Sequence, residues 1–302
     1  MSKKLVKVQE SNVGKRENAL EIYMTGVELL DDKKKAKTKN NPEEDFGKDY
    51  KEFVYLAELM NTTVDELKDE FFLFQIRKLM GKMAKAVIRF GVEDKELSRV
   101  FYNAGALKLD EIIISPAYLP ACEKQVSKIK DGYKIGVIVD FPFGESTFKS
   151  KISCLKDFVK KGVDDVTVMM PTLLLNKENI KSFKKQVNKI GRAYKKKSGI
   201  ALNATDLTEE QIKLALKACG KSKIAYVTFA FGNTTAEELK QKISLAKKYK
   251  KDKKLYVLAN VDNAKAVMEL FKNQVDKIIT PYANEIGEQL VERFNVKSVK
   301  LK

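Results

Sequence analysis

The sequence predicts an α/β chain whose core is a (β/α)8 barrel, the TIM-barrel architecture, with an added helical segment at its amino-terminal end. Three observations predict it. First, the runs Gly136–Gly144 and Asp164–Pro171 are rich in β-branched residues and stop at proline-containing turns, and Phe148–Lys161 between them has helical spacing, which makes one β-α-β unit. Second, runs of this kind recur until there are eight, alternating with helical stretches, the pattern of a parallel closed sheet. Third, 302 residues with 44% hydrophobic content and six prolines suffice for a barrel of ~250 residues or fewer plus an extension.

In chain order, residues 1–83 form the helical extension and 84–302 the barrel. Met1–Arg16 is polar, Glu17–Leu30 has helical spacing, and Asp31–Glu44 is a charged run closing in Asn40-Asn41-Pro42, which reads as a linker or exposed loop. Asp45–Met60 and Thr63–Met83 read as amphipathic helices, the second opened by a Thr63/Glu66 capping box. Phe71, Phe72, Phe74, Ile76 and Leu79 give it an apolar face. That face is expected to pack across the barrel; a docking role for a partner or a second copy is the alternative.

Strands are expected over Lys85–Phe90, Asp110–Ser115, Lys134–Asp140, Asp165–Met170, Gly199–Asn203, Lys223–Phe229, Lys254–Asn260 and Asp276–Thr280. Helices fall between them, at Asp94–Ala104, Pro116–Lys128, Phe148–Lys161, Lys177–Lys196, Thr208–Cys219, Thr235–Tyr249, Asn263–Phe271 and Asn284–Phe294. Two helix starts are well marked: Thr208 has Gln211 three residues on, and Glu237 and Glu238 place acids in a first turn.

Several of the turns carry a resemblance. Phe141-Pro142-Phe143-Gly144 followed by Gly162-Val163-Asp164-Asp165-Val166-Thr167 resembles the F-P-x-G … G-A-D-E-[IV]-D unit of the deoxyribose-phosphate aldolase family, Schiff-base aldolases on a (β/α)8 barrel. Ile112–Pro120 resembles that family's V-x-V-x-P-x-[YF]-[VI]-P turn, and Ile200–Leu207 and Tyr226–Gly232 stand where it has I-I-E-T-x-x-L and F-[IV]-K-T-S-T-G. The likeness covers roughly residues 84–290, and ordered agreement at several turns is more specific than one short motif.

The resemblance implies a catalytic machinery that this sequence does not repeat. Thr228 stands at the nucleophilic lysine of F-[IV]-K-T-S-T-G, and a hydroxyl forms no iminium with a carbonyl. Thr167 replaces the proton-handling aspartate of E-[IV]-D. The second family lysine falls near Val257, in a strand without lysine on its inner half. Lys134, Lys223, Lys253, Lys254 and Lys277 all read as preceding their strands, whereas barrel active sites form at the carboxyl ends, so no amine is expected in the cup where carbon–carbon cleavage takes place. In the phosphate-binding turns Gly232 is kept, while Ala259, Asn260 and Thr280-Pro281-Tyr282 replace glycines.

Composition excludes further classes. Without histidine, zinc sites and Ser/His or Cys/His catalysis are not expected, and no metal or cofactor is predicted. Cys122, Cys154 and Cys219 show no paired spacing and read as reduced thiols. No apolar run has membrane length and no signal peptide is recognisable, so a cytoplasmic protein is expected. The net charge of +17 rests almost wholly on lysine; with only six arginines, any nucleic-acid contact is expected to be weak, salt-sensitive and non-specific.

Residues expected at the barrel mouth, and so available to a ligand, are Arg89, Asp140, Thr167, Asn203, Thr228, Gly232 and Asn260, together with Ser115 and Asp262. Asp140 and Asp262 read as turn carboxylates rather than a proton-transfer pair, and Arg89 is expected to pair with Asp140. Packed Phe229, Phe231 and Met170 would mark a closed barrel. The expectation is an aldolase-like barrel without Schiff-base chemistry that binds a small molecule, a sugar phosphate, a protein partner or a second copy. The alternatives are a working aldolase on 2-deoxyribose 5-phosphate or a related sugar phosphate, and a lysine-rich polyanion binder.

Overall fold

A computed structural model describes residues 54–58, 61–89, 91–126, 133–195 and 197–302. They form two compact units, one of residues 79–289 with 301–302, the other of the described residues up to 78 with 290–300.

The larger unit is a closed parallel barrel of eight strands in sequence order, sealed by pairing of the first strand with the last. The strands are β1 (Met83–Val87), β2 (Glu111–Ile114), β3 (Lys134–Val139), β4 (Asp165–Met170), β5 (Ser198–Asn203), β6 (Tyr226–Ala230), β7 (Lys254–Leu258) and β8 (Lys277–Thr280). The helices, numbered from the smaller unit, are α1 (Val64–Met80), α2 (Asp94–Leu107), α3 (Leu119–Val126), α4 (Phe148–Lys160), α5 (Ile180–Ala193), α6 (Glu209–Gly220), α7 (Ala236–Tyr249), α8 (Ala264–Lys272) and α9 (Ala283–Arg293). Eight strands alternating with helices is the predicted (β/α)8 architecture.

Local chemistry sets the boundaries. Thr208 and Gln211 cap α6 reciprocally, and Thr235 does the same with Glu238 for α7, which ends competition for the first N–H groups of each helix. α5 starts later than Lys177 because the Asn176 side chain accepts from the N–H groups of Glu178 and Asn179 and holds a turn there. After β2 the chain makes a 3-10 turn over Pro116–Tyr118 before α3. β1 begins earlier than predicted and ends at Val87.

Strand alternation divides the barrel interior into two chemically different halves. Ala84, Ala86, Ile113, Ile138, Met169, Ala201, Ala230, Leu258 and Ile279 belong to the buried interior cluster. Toward the amino-terminal ends the filling is polar: Tyr226 stacks on Tyr256 with centroids 4.3 Å apart, and Lys277 lies 4.8 Å above the Tyr256 ring. Space for these groups comes from glycine. A Cβ at Gly199 would stand 2.1 Å from the Tyr226 ring, and one at Gly136 2.1 Å from the Glu111 carboxylate.

In the smaller unit, Thr63 and Glu66 form the predicted capping box of α1. Leu56, Ala57, Leu67 and Phe71 make its core. Phe72 stacks on Phe294 at 4.4 Å, and the Asp69 carboxylate accepts from the N–H groups of Lys297 and Ser298. Residues 290–300 thus join this unit, whereas the sequence reading assigned them to the barrel. The expected segments Met1–Arg16, Glu17–Leu30 and Asp31–Glu44 lie outside the described residues. Of Asp45–Met60 only 54–58 is described, and it is helical. Among the described residues no helix is long and apolar enough to cross a membrane.

Candidate functional site

Barrel chemistry belongs at the carboxyl ends of the strands. Thr167 and Thr228 point inward, on the same face as Met169, Ala230 and Ala201. Thr167 Oγ1 lies 3.0 Å from the Tyr226 hydroxyl, tying it to the polar filling below. Thr228 is fully buried, and its Oγ1 has no hydrogen-bond partner. Val257 does not belong to this set. Tyr256 and Leu258 face the interior, so by alternation Val257 lies on the outer face against the helices, and Leu258 is the inward residue at that level.

The rim residues are committed to holding their own loops. Asp140, at φ 64°, accepts from Ser146 N (2.9 Å) and pairs with Lys151 Nζ (3.1 Å). Asn203 accepts from Thr205 N, and Thr205 Oγ1 in turn accepts from Gly232 N at 2.9 Å, so the N–H of the retained glycine turn is already engaged. Asn260 is exposed; Asp262, also exposed, accepts from the neighbouring Asn263, which caps α8.

Two expectations fail. Arg89 does not meet Asp140: its exposed guanidinium pairs with Glu96 of α2, because the residue beyond Ile88 turns out of the barrel. Burial of Phe229, Phe231 and Met170 does not report on the mouth either. Phe229 and Met170 alternate with the inward Thr228, Ala230 and Met169, and so pack between sheet and helices.

No amine is expected in the cup at the carboxyl ends of the strands, but one does enter the barrel from its other end. Lys277 does not precede β8 but opens it, on the same face as Ile279, and its ammonium lies inside the barrel, 2.5 Å from Asp110 and 2.7 Å from Glu111. It sits at the amino-terminal end, opposite the mouth. The surrounding carboxylates hold Lys277 above the usual lysine range against the effect of its burial. Burial pushes Glu111 up to about 7 and Asp165 up to about 6, with Lys277 opposing both. Lys277 and Lys134 outweigh burial at Asp110 and hold it low. Period-two alternation was the available signal: Lys277 with Ile279, and Glu111 with Ile113, read as inward pairs.

Other lysines act as staples for the loops at the mouth. Buried Lys151 donates to Gly144 O (2.5 Å) and Met169 O (2.9 Å) besides pairing with Asp140, which fastens the Phe141–Gly144 turn to β4. Gly144 itself, at φ 72°, packs so close to the Met169–Met170 backbone that a Cβ would stand 2.9 Å away. Lys242 donates to the carbonyls of Ala204, Thr205 and Leu207 after β5. Lys85 binds Pro281 O and Glu285 after β8. Nothing in the sequence marked these lysines for burial. Two open concavities lie on the helical layer, one lined by Glu209, Lys213 and Tyr249, the other by Leu175, Asn176 and Gln211.

No protein-family model matches the chain. It is similar to the deoxyribose-phosphate aldolase of Mycoplasmoides gallisepticum, 23% identical over 199 residues that cover 65% of this chain and 87% of the relative. It is likewise 23% identical to that of Caldanaerobacter subterraneus subsp. tengcongensis over 221 residues, 69% and 92% of the two chains. Among solved structures it shares its fold with an aldolase at TM-score 0.62 and 17% identity, covering 72% of this chain and 98% of the other. The deoxyribose phosphate aldolase of Aeropyrum pernix, described as a tetramer, superposes at TM-score 0.61 with 14% identity over 74% and 94% of the chains.

Proposed function

We propose that this chain, a divergent relative of the deoxyribose-phosphate aldolases, keeps their barrel without Schiff-base chemistry and serves as a ligand-binding or interaction protein. One observation carries the reading: the inward residue at the middle of β6 is Thr228, a buried hydroxyl, where the resemblance calls for the nucleophilic amine. An amine nucleophile must be neutral and free. Lys151, Lys242 and Lys85, the lysines that reach the mouth loops, give their N–H groups to carbonyls and carboxylates. Lys277 is held protonated at the far end. Thr167 and Leu258 supply neither a carboxylate nor a second charge beside Thr228. The ligand class that the relatives' name suggests is a sugar phosphate, held by the rim formed by Asn203, Gly232 and Asn260 after rearrangement of the Thr205 contact. Association of copies is proposed from the tetrameric Aeropyrum relative.

The competing reading, a working aldolase, rests on the names of the curated relatives. Borohydride reduction in the presence of 2-deoxyribose 5-phosphate or acetaldehyde separates the two. Intact-mass measurement is expected to show the unmodified chain; a reduced-imine increment on any lysine overturns the proposal.

A further inference from the structure

The positive charge of the barrel unit is least neutralised on one flank. From Ile180 to Asn203 the chain contains no aspartate or glutamate. α5 buries Phe183, Val187 and Ile190 against the barrel and presents Lys181, Lys184, Lys185, Lys189 and Arg192 to solvent. α4, packed beside it, adds exposed Lys149, Lys156 and Lys160. The single acid on the two helices is Asp157. Among the described residues none of these cations has a carboxylate within ion-pair distance. The flank formed by α6 and α7 differs: these helices open with Glu209-Glu210 and Glu237-Glu238, Lys248 pairs with Glu209, and Lys250 after α7 pairs with Asp276.

An unneutralised array of this kind repels itself, and its chemistry selects the partner. A membrane-surface helix needs a free apolar face; that of α5 is buried, and the large exposed apolar residues, Tyr55, Tyr102, Phe143, Leu173 and Tyr282, lie off both helices. Protein interfaces are depleted in lysine at their centre, and the aromatic on this face, Phe148, is half-buried beneath the Lys189 ammonium rather than offered to a partner. Phosphate is the remaining fit. α5 is about 21 Å long at 1.5 Å per residue. Lys181, Lys185 and Lys189 recur at each turn along it, and α4 runs alongside at roughly 8–10 Å. With one arginine among the lysines, the face lacks the forked donors that read base edges.

We infer that the α4/α5 flank docks the phosphate backbone of a nucleic acid without reading its sequence. If about five phosphates are neutralised, the logarithm of affinity falls with the logarithm of salt concentration at a slope of about −4 to −5.

The test uses the full chain and fluorescence anisotropy of a labelled DNA duplex, with an RNA duplex of the same sequence in a second arm; binding to either supports the proposal, since the phosphate chemistry is shared. Lys181→Gln/Lys185→Gln/Lys189→Gln is compared with Lys213→Gln/Lys217→Gln/Lys221→Gln, which removes equal charge from exposed positions on and just after α6. The α5 triple is expected to flatten the salt slope by about 3 and to weaken binding more than ~30-fold, while the α6 triple leaves the slope unchanged. Equal weakening by both triples, no binding by the unaltered chain, or preferential capture by phosphatidylserine vesicles overturns the inference. Unchanged thermal melting of both variants separates lost contact from lost fold.

Discussion

Replacing Lys277 by methionine tests the polar filling of the barrel most directly. The side chain is 5% exposed and its ammonium lies between Asp110 and Glu111, while Glu111 is 2% exposed with Oε1 already lacking a partner. Removing the cation leaves a buried carboxylate uncompensated, a change that costs about 3–5 kcal/mol. For a unit of this size that lowers the melting temperature by about 6–20 °C. The pH dependence carries the same signature. Burial raises Glu111 from 4.5 to about 7 and Asp165 from 3.8 to about 6 in the folded chain, so the native state binds more protons than the unfolded chain in that window. The associated stability is fully present below the unfolded values and is lost as pH rises through about 6 to 7, about 3 kcal/mol of it from Glu111. Asp110, held low, acts oppositely and only in strong acid. Melting followed by circular dichroism from pH 4.5 to 8.5 is therefore expected to show stability falling with pH in the natural chain. In Lys277→Met the fall extends to higher pH because Glu111 loses the charge that opposed its rise. Adding Glu111→Gln is expected to restore much of the loss. A flat profile, or a loss below about 1 kcal/mol in Lys277→Met, would refute the buried cluster.

Three more outcomes are expected. Lys151→Met frees the carbonyls of Gly144 and Met169 and leaves Asp140 unpaired; a loss of about 3 kcal/mol or more and faster amide exchange at Ser146 check it. Gly199→Ala drives a methyl to 2.1 Å from the Tyr226 ring and is expected to destabilise by about 1–3 kcal/mol, measured by denaturant unfolding; a neutral change would contradict the Tyr226 placement. Thr228→Lys installs an amine at a fully buried position without the accompanying acid at Thr167, so acetaldehyde release from 2-deoxyribose 5-phosphate stays at background, and turnover would show that one residue separates this barrel from catalysis.

The barrel was legible in the chain because its signals are local. β-branched runs of period two, caps such as Thr208/Gln211 and turns such as Phe141–Gly144 act within a few residues, and the motifs shared with the aldolases put Thr167 and Thr228 inside. What the rim residues do was not legible, since it depends on partners far along the chain. Arg89 turned to Glu96, Asp140 was claimed by Lys151, and Gly232 N by Thr205. The lysines show the limit most sharply. By composition Lys277, Lys151 and Lys181 are the same residue in a lysine-rich chain. Closure of the sheet buried the first among carboxylates drawn from β2 and β4, helix packing folded the second under a turn, and the third was left in water. Sequence determined which positions carry an ammonium; tertiary structure decided which of them find a carboxylate or carbonyl, because desolvation and charge pairing depend on distances that only the closed barrel sets.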